Sequence, residues 1–102
     1  MRKIINGKMY NTETAKLIAT YDSGHFHNDF NYYYEELYLK KTGEFFLSGE
    51  GGPRTKYCEV VPGGGRAYGS DIIPLTLDEA KEWAEKHMST DYFVEVFGEV
   101  EE

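Results

Sequence analysis

Apolar and polar positions alternate most regularly between Tyr32 and Pro53, and that stretch predicts a β-hairpin at the centre of the fold. Two arms rich in Tyr, Phe and Leu flank Lys40-Lys41-Thr42-Gly43, and such residues suit a pleated, half-buried surface. Gly43 offers the positive φ that a short loop with a type I turn and bulge requires. Side chains alternate faces along a strand, so Leu37 and Leu39 share one face and Phe45 and Leu47 can join them across the pair. The other face carries Tyr32, Tyr34, Glu36, Tyr38 and Phe46. It is aromatic but not fully apolar, so it is either covered by the C-terminal helix or used to grip something.

The flanking segments follow from turn and cap signals. Asn6-Gly7 inside Lys3–Tyr10 predicts a tight hairpin with a type I′ turn, in which both central residues need φ > 0. Asn11-Thr12-Glu13-Thr14 precedes Ala15, Leu17, Ile18 and Tyr21, which predicts a helix of about two turns, stopped by Asp22-Ser23-Gly24. Gly49 to Pro53 reads as a turn-rich break, and Arg54 to Val61 as a third strand of the main sheet. Asp71 to Leu75 predicts a last edge strand, with Pro74 near its end because it cannot donate to a ladder. Thr76 and Glu79 form a capping-box pattern for a helix reaching about Met88. Ser89-Thr90-Asp91 caps a second helix through Phe97, closed by Gly98, and Glu99 to Glu102 is expected to fray. The resulting fold class is α+β: one domain over residues 1–102, an antiparallel sheet of about four or five strands packed against a C-terminal helix.

Composition excludes several classes. A chain of 102 residues that is 40% hydrophobic and 16% aromatic is expected to fold as one domain. No apolar run approaches the roughly 20 residues of a membrane span, and the N-terminal apolar stretch is too short for a signal peptide. The single Cys58 excludes an intramolecular disulfide and fits a reducing cytosol, so a soluble cytoplasmic protein is expected. The net charge of −7 is unevenly placed. Nine bases cancel nine acids up to Thr76, whereas from Leu77 onward Lys81 and Lys86 face nine carboxylates. That field repels nucleic acid and attracts basic surfaces; its plain alternative is a solvated helix face with an acidic tail.

Candidate chemistry is sparse. His25, His27 and Asp29 have the spacing of part of a metal site, but zinc needs four ligands or three plus water, so no metal or other cofactor is expected. Pro62-Gly63-Gly64-Gly65-Arg66 has the composition of a phosphate-cradling loop without its spacing, and a mobile connector is the expectation there. Glu35 and Glu36 are adjacent and on a strand point to opposite faces, so they do not form one acid/base pair. No serine lies in a nucleophile-elbow pattern and Cys58 has no sequence-defined histidine partner. A tyrosine-rich surface with few catalytic candidates fits a binding protein rather than an enzyme.

The segments KKTGEFFLSGEGGP, Lys56-Tyr57, IIPLTLDEAKEWAEKH and FGEVEE resemble a group of small acidic proteins of phages and conjugative elements of Gram-positive bacteria. The similarity spans most of the chain after Tyr32 and implies an anti-defence factor of the anti-CRISPR kind, with no catalytic residues. It implies a protein partner, a CRISPR effector or another defence protein, and neither direct nucleic-acid nor membrane binding. CRISPR effectors hold nucleic acid in positively charged channels. Asp78, Glu79, Glu82 and Glu85 would replace phosphates in such a channel, with Tyr34, Glu36, Tyr38 and Phe46 adding contacts and aromatic anchors. Two alternatives stay open. One is a small-ligand binder for a nucleotide signal, using Arg54, Lys56, Gly64 and Arg66 against phosphate. The other is a regulatory interaction module of a mobile element. Exposed tyrosines on a sheet also make a homodimer an expectation.

Overall fold

The computed structural model describes residues 1–99 and Glu101. An N-terminal hairpin, β1 (Arg2–Ile5) and β2 (Lys8–Asn11), forms a two-stranded sheet of its own. Asn6 (φ 51°) and Gly7 (φ 78°) make its turn, as the Asn-Gly pair predicts. The main sheet is antiparallel in the order β3 (Lys16–Asp22), β4 (Tyr33–Leu39), β5 (Phe45–Gly51) and β8 (Gly69–Leu75). Between β5 and β8 lies a ribbon of β6 (Glu59–Val60) and β7 (Arg66–Ala67). Helices α1 (Leu77–His87) and α2 (Thr90–Phe97) complete an α+β fold.

The central hairpin forms as its pattern requires. Leu37 pairs with Leu47 and Leu39 with Phe45, Gly43 takes φ 91°, and these side chains point toward the helices. Buried Ala80 and Trp83 of α1 close over them, and Phe97 of α2 lies 5.3 Å from the Phe45 ring. The capping box is complete: Thr76 Oγ1 accepts from the Glu79 N–H and Glu79 Oε1 from the Thr76 N–H. Ser89 caps α2 with its Oγ accepting from the Tyr92 N–H, and Gly98 closes it. The expected fraying of Glu99 to Glu102 falls partly on Val100 and Glu102, which lie outside the described residues.

Three local expectations are corrected. The helix expected over Asn11 to Tyr21 is strand β3. Its apolar residues satisfy helical spacing and alternation at once, and the edge of β4 offers seven residues of backbone partners that an isolated short helix lacks. A register shift between Leu17 and Ala19 turns Ile18 inward, and its carbonyl accepts from the Tyr92 hydroxyl of α2 at 2.8 Å. Asn11 caps a turn instead, its Oδ1 accepting from the Glu13 N–H. The third strand expected over Arg54 to Val61 is absent from the main sheet. Residues 52–58 coil through turns closed by Thr55 N–H to Gly52 O and Cys58 N–H to Thr55 O, and β8 takes the place beside β5. Gly49 to Gly51, read as a break, belong to β5. Pro62 to Gly65 form the turn of the β6–β7 ribbon, with Val61 N–H bonded to Gly65 O.

The aromatic face of the hairpin is covered, but not by a helix. The β1–β2 hairpin folds over it and sets Tyr10 edge-on to Phe46, whose ring also stacks on that of its cross-strand neighbour Tyr38. Tyr10, Tyr38, Phe46 and Ile72 thus form a second core. Glu44 anchors the hairpin by accepting from Lys8 at 2.9 Å, and Asp71 does so by accepting from Lys3 at 2.5 Å.

Candidate functional site

A cleft of about 690 Å³ lies between α1, the segment 52–58 and the β3–β4 loop. Its floor holds the one buried charged side chain among the described residues, Glu35, at 2% exposure. Strand parity sends Glu35 to the same side as Leu37, toward α1, while Glu36 points to the other face.

Three donors converge on the Glu35 carboxylate. Trp83 Nε1 donates to Oε1 at 3.0 Å, while the Tyr57 hydroxyl at 2.5 Å and Lys56 Nζ at 2.8 Å donate to Oε2. Burial pushes the Glu35 pKa up, but the bonds from Lys56, Tyr57 and Trp83 and the charge of Lys56 together hold it below the usual carboxylate value. Burial, and then the bond to Glu35, raise the Tyr57 pKa far above that of a free phenol, so Tyr57 is a fixed donor. Chain geometry makes this possible at Gly49. It lies opposite Glu35 on β5, and a side chain there would occupy the space of the Tyr57 ring.

His87 also lines the cleft, its ring centroid 3.8 Å from that of Tyr21 and 4.8 Å from that of Trp83. Its Nδ1 is buried without a hydrogen-bond partner among the described residues, and burial lowers its pKa, which favours the neutral imidazole. Arg54 and Lys86 border the cleft, and their side chains make no ion pair or hydrogen bond among the described residues. Arg54 is carried on a braced loop, since its backbone N–H donates to Phe30 O and the Gly52 N–H to Tyr32 O.

The residues singled out by sequence divide among three places. Asp78, Glu79, Glu82 and Glu85 are exposed on α1, none in an ion pair among the described residues; Glu79 and Glu82 also line the cleft. Tyr34, Glu36, Tyr38 and Phe46 lie on the opposite face of the sheet. They do not stand beside the acidic helix: Phe46 is 0% exposed and Tyr38 buried, both inside the second core, while Tyr34 and Glu36 are half-buried and share a long contact of 3.5 Å. Arg54 and Lys56 reach the cleft, whereas Gly64 and Arg66 belong to the β6–β7 ribbon and do not line it. His25 lies at the cleft with Nδ1 3.8 Å from Asp29, and His27 stacks instead on Tyr32. Sequence reasoning missed Glu35, Tyr57, Trp83 and His87 as a group, and the exposed Phe26 (84%) and Phe30 (58%) on the β3–β4 loop. The one usable signal was a lone charge, Glu35, at an inward position of an apolar strand.

No family model, no curated protein and no solved structure matches this chain. Among the described residues, no helix is long and apolar enough to cross a membrane.

Proposed function

We propose that this chain is a non-catalytic, cytoplasmic inhibitor of a bacterial defence system, of the anti-CRISPR kind, which covers a basic nucleic-acid-binding surface of an effector. The observation that carries this reading is the exposed row of carboxylates on α1. Asp78, Glu82 and Glu85 recur at helical spacing on one face, beside Glu79, without an ion pair among the described residues.

Charge density supports the reading. Four carboxylates and Lys81 fall within seven helical steps, about 10.5 Å, which is one net charge per roughly 3.5 Å. A DNA strand carries one phosphate per about 3.4 Å of axis, so a channel that binds phosphate meets a similar field on α1. The aromatic anchors in this reading are Phe26 and Phe30, not Phe46. They project from the loop whose His25 and Asn31 line the same cleft as Glu79 and Glu82, and exposed aromatics beside charge are what an interface core uses.

The test is capture from a lysate of the bacterial host, comparing wild type with Asp78→Lys/Glu82→Lys. The expected result is retention of one nucleic-acid-cleaving effector by wild type, its loss in the variant, and weaker capture as salt rises. Equal capture by both proteins sinks the proposal.

A further inference from the structure

We propose that the cleft over Glu35 is a binding site for a small nucleotide, with a nucleoside monophosphate as its simplest representative. The site uses residues outside the Asp78–Glu85 face except at its acidic rim, so it stands or falls separately from the inhibitor reading.

The cleft is graded along α1, whose lining residues run from Glu79 and Glu82 through Trp83 to Lys86. Arg54 also lines it, its charged group and that of Lys86 uncommitted among the described residues, and Lys56 adds an ammonium oriented by Glu35. Tyr33 is a further aromatic lining residue. Lys86 and Glu79 are seven residues apart on α1, about 10.5 Å along the axis. A nucleoside monophosphate has the same grading over a similar length: a phosphate that accepts from guanidinium and ammonium groups, a flat ring, and hydroxyl or amino donors for carboxylates. At about 690 Å³ the cleft falls within the range of small-molecule sites.

The buried carboxylate does not oppose an anion here. Glu35 is neutralised by Lys56 and also accepts from Tyr57 and Trp83, so it fixes the floor and leaves Lys56 with spare N–H groups for the ligand. The walls are set before binding. Gly52 packs so closely on the carbonyls of Asp29 and Phe30 that a Cβ there would overlap them, which holds the Arg54 loop against the β3–β4 loop. Rigid placement lowers the ordering cost of binding.

Trp83 is the single tryptophan, so its indole N–H gives one resonance that reports from the cleft floor. Titration with AMP, GMP and inorganic phosphate, followed by that resonance, tests the site. The expected result is a saturable shift with at least one nucleotide, at least about tenfold tighter than phosphate alone and weakened about tenfold or more in Arg54→Ala/Lys86→Ala. Both substituted side chains lie at the rim, and an unchanged thermal midpoint shows that the variant is folded. No saturable shift up to roughly 10 mM overturns the proposal, as does equal affinity for phosphate or an unaffected variant.

Discussion

Gly49 and Tyr57 occupy what would otherwise be the same space: the phenol ring lies where a side chain on residue 49 would begin. Because Gly49 is the cross-strand neighbour of Glu35, its missing Cβ is what lets the Tyr57 hydroxyl reach the carboxylate. Gly49→Ala is therefore a core overpacking change and not a turn effect. It should destabilise the fold by about 2 kcal/mol or more, read as a lower denaturant midpoint. A midpoint within about 0.5 kcal/mol of wild type would show that Tyr57 moves aside without cost.

Glu35 is the acceptor on which three donors depend. Glu35→Ala leaves the Trp83 N–H and the Tyr57 hydroxyl unsatisfied and Lys56 without its partner, and about 3 kcal/mol of stability should go with it. Glu35→Leu removes the same acceptor but fills the volume, and should lose less only if cavity formation dominates. Unfolding curves of the two variants, side by side, decide between desolvation and packing as the cause.

Phe46 separates a structural from a contact role. It is fully buried and in ring contact with both Tyr10 and Tyr38, so Phe46→Ala should cost about 3–5 kcal/mol in global unfolding. Phe26→Ala, at 84% exposure, should leave stability within about 0.5 kcal/mol while weakening partner capture. Loss of capture in a stable, folded Phe46 variant would contradict the burial assigned to it.

The joint between the N-terminal hairpin and the sheet should be sensitive to acid. Hydrogen bonds from Lys8, Lys40 and Thr42 lower the Glu44 pKa from 4.5 to about 2. A carboxyl with a depressed folded-state value contributes its stability above its unfolded value, and that contribution disappears as pH falls from about 4.5 to about 2. Protection of the β1 and β2 amides, taken relative to intrinsic exchange at each pH, should fall across that window in wild type, and Glu44→Gln should show the lower protection already at pH 7. High salt should narrow the difference, since the Lys8–Glu44 pair is exposed. A flat profile in wild type would mean that the Glu44 contacts do not hold the hairpin.

Local signals determined much of this protein. Asn6-Gly7 and Gly43 fixed two hairpin turns, the Thr76–Glu79 box and Ser89 fixed two helix starts, and period-two alternation fixed which face of β4 and β5 carries Leu37 and Leu47. Each of these depends on neighbours within a few residues, which is why sequence suffices. The identity of β3 did not, because its apolar spacing fits helix and strand alike and the free edge of β4 decides between them. Nor did the site: Glu35, Tyr57 and Trp83 come from separate elements, 22 and 48 positions apart from Glu35 along the chain, and meet only after the sheet and α1 have packed. Likewise nothing near Phe46 in sequence says that Tyr10 will cover it. Cover and convergence are properties of packed layers, and those the tertiary structure alone supplies.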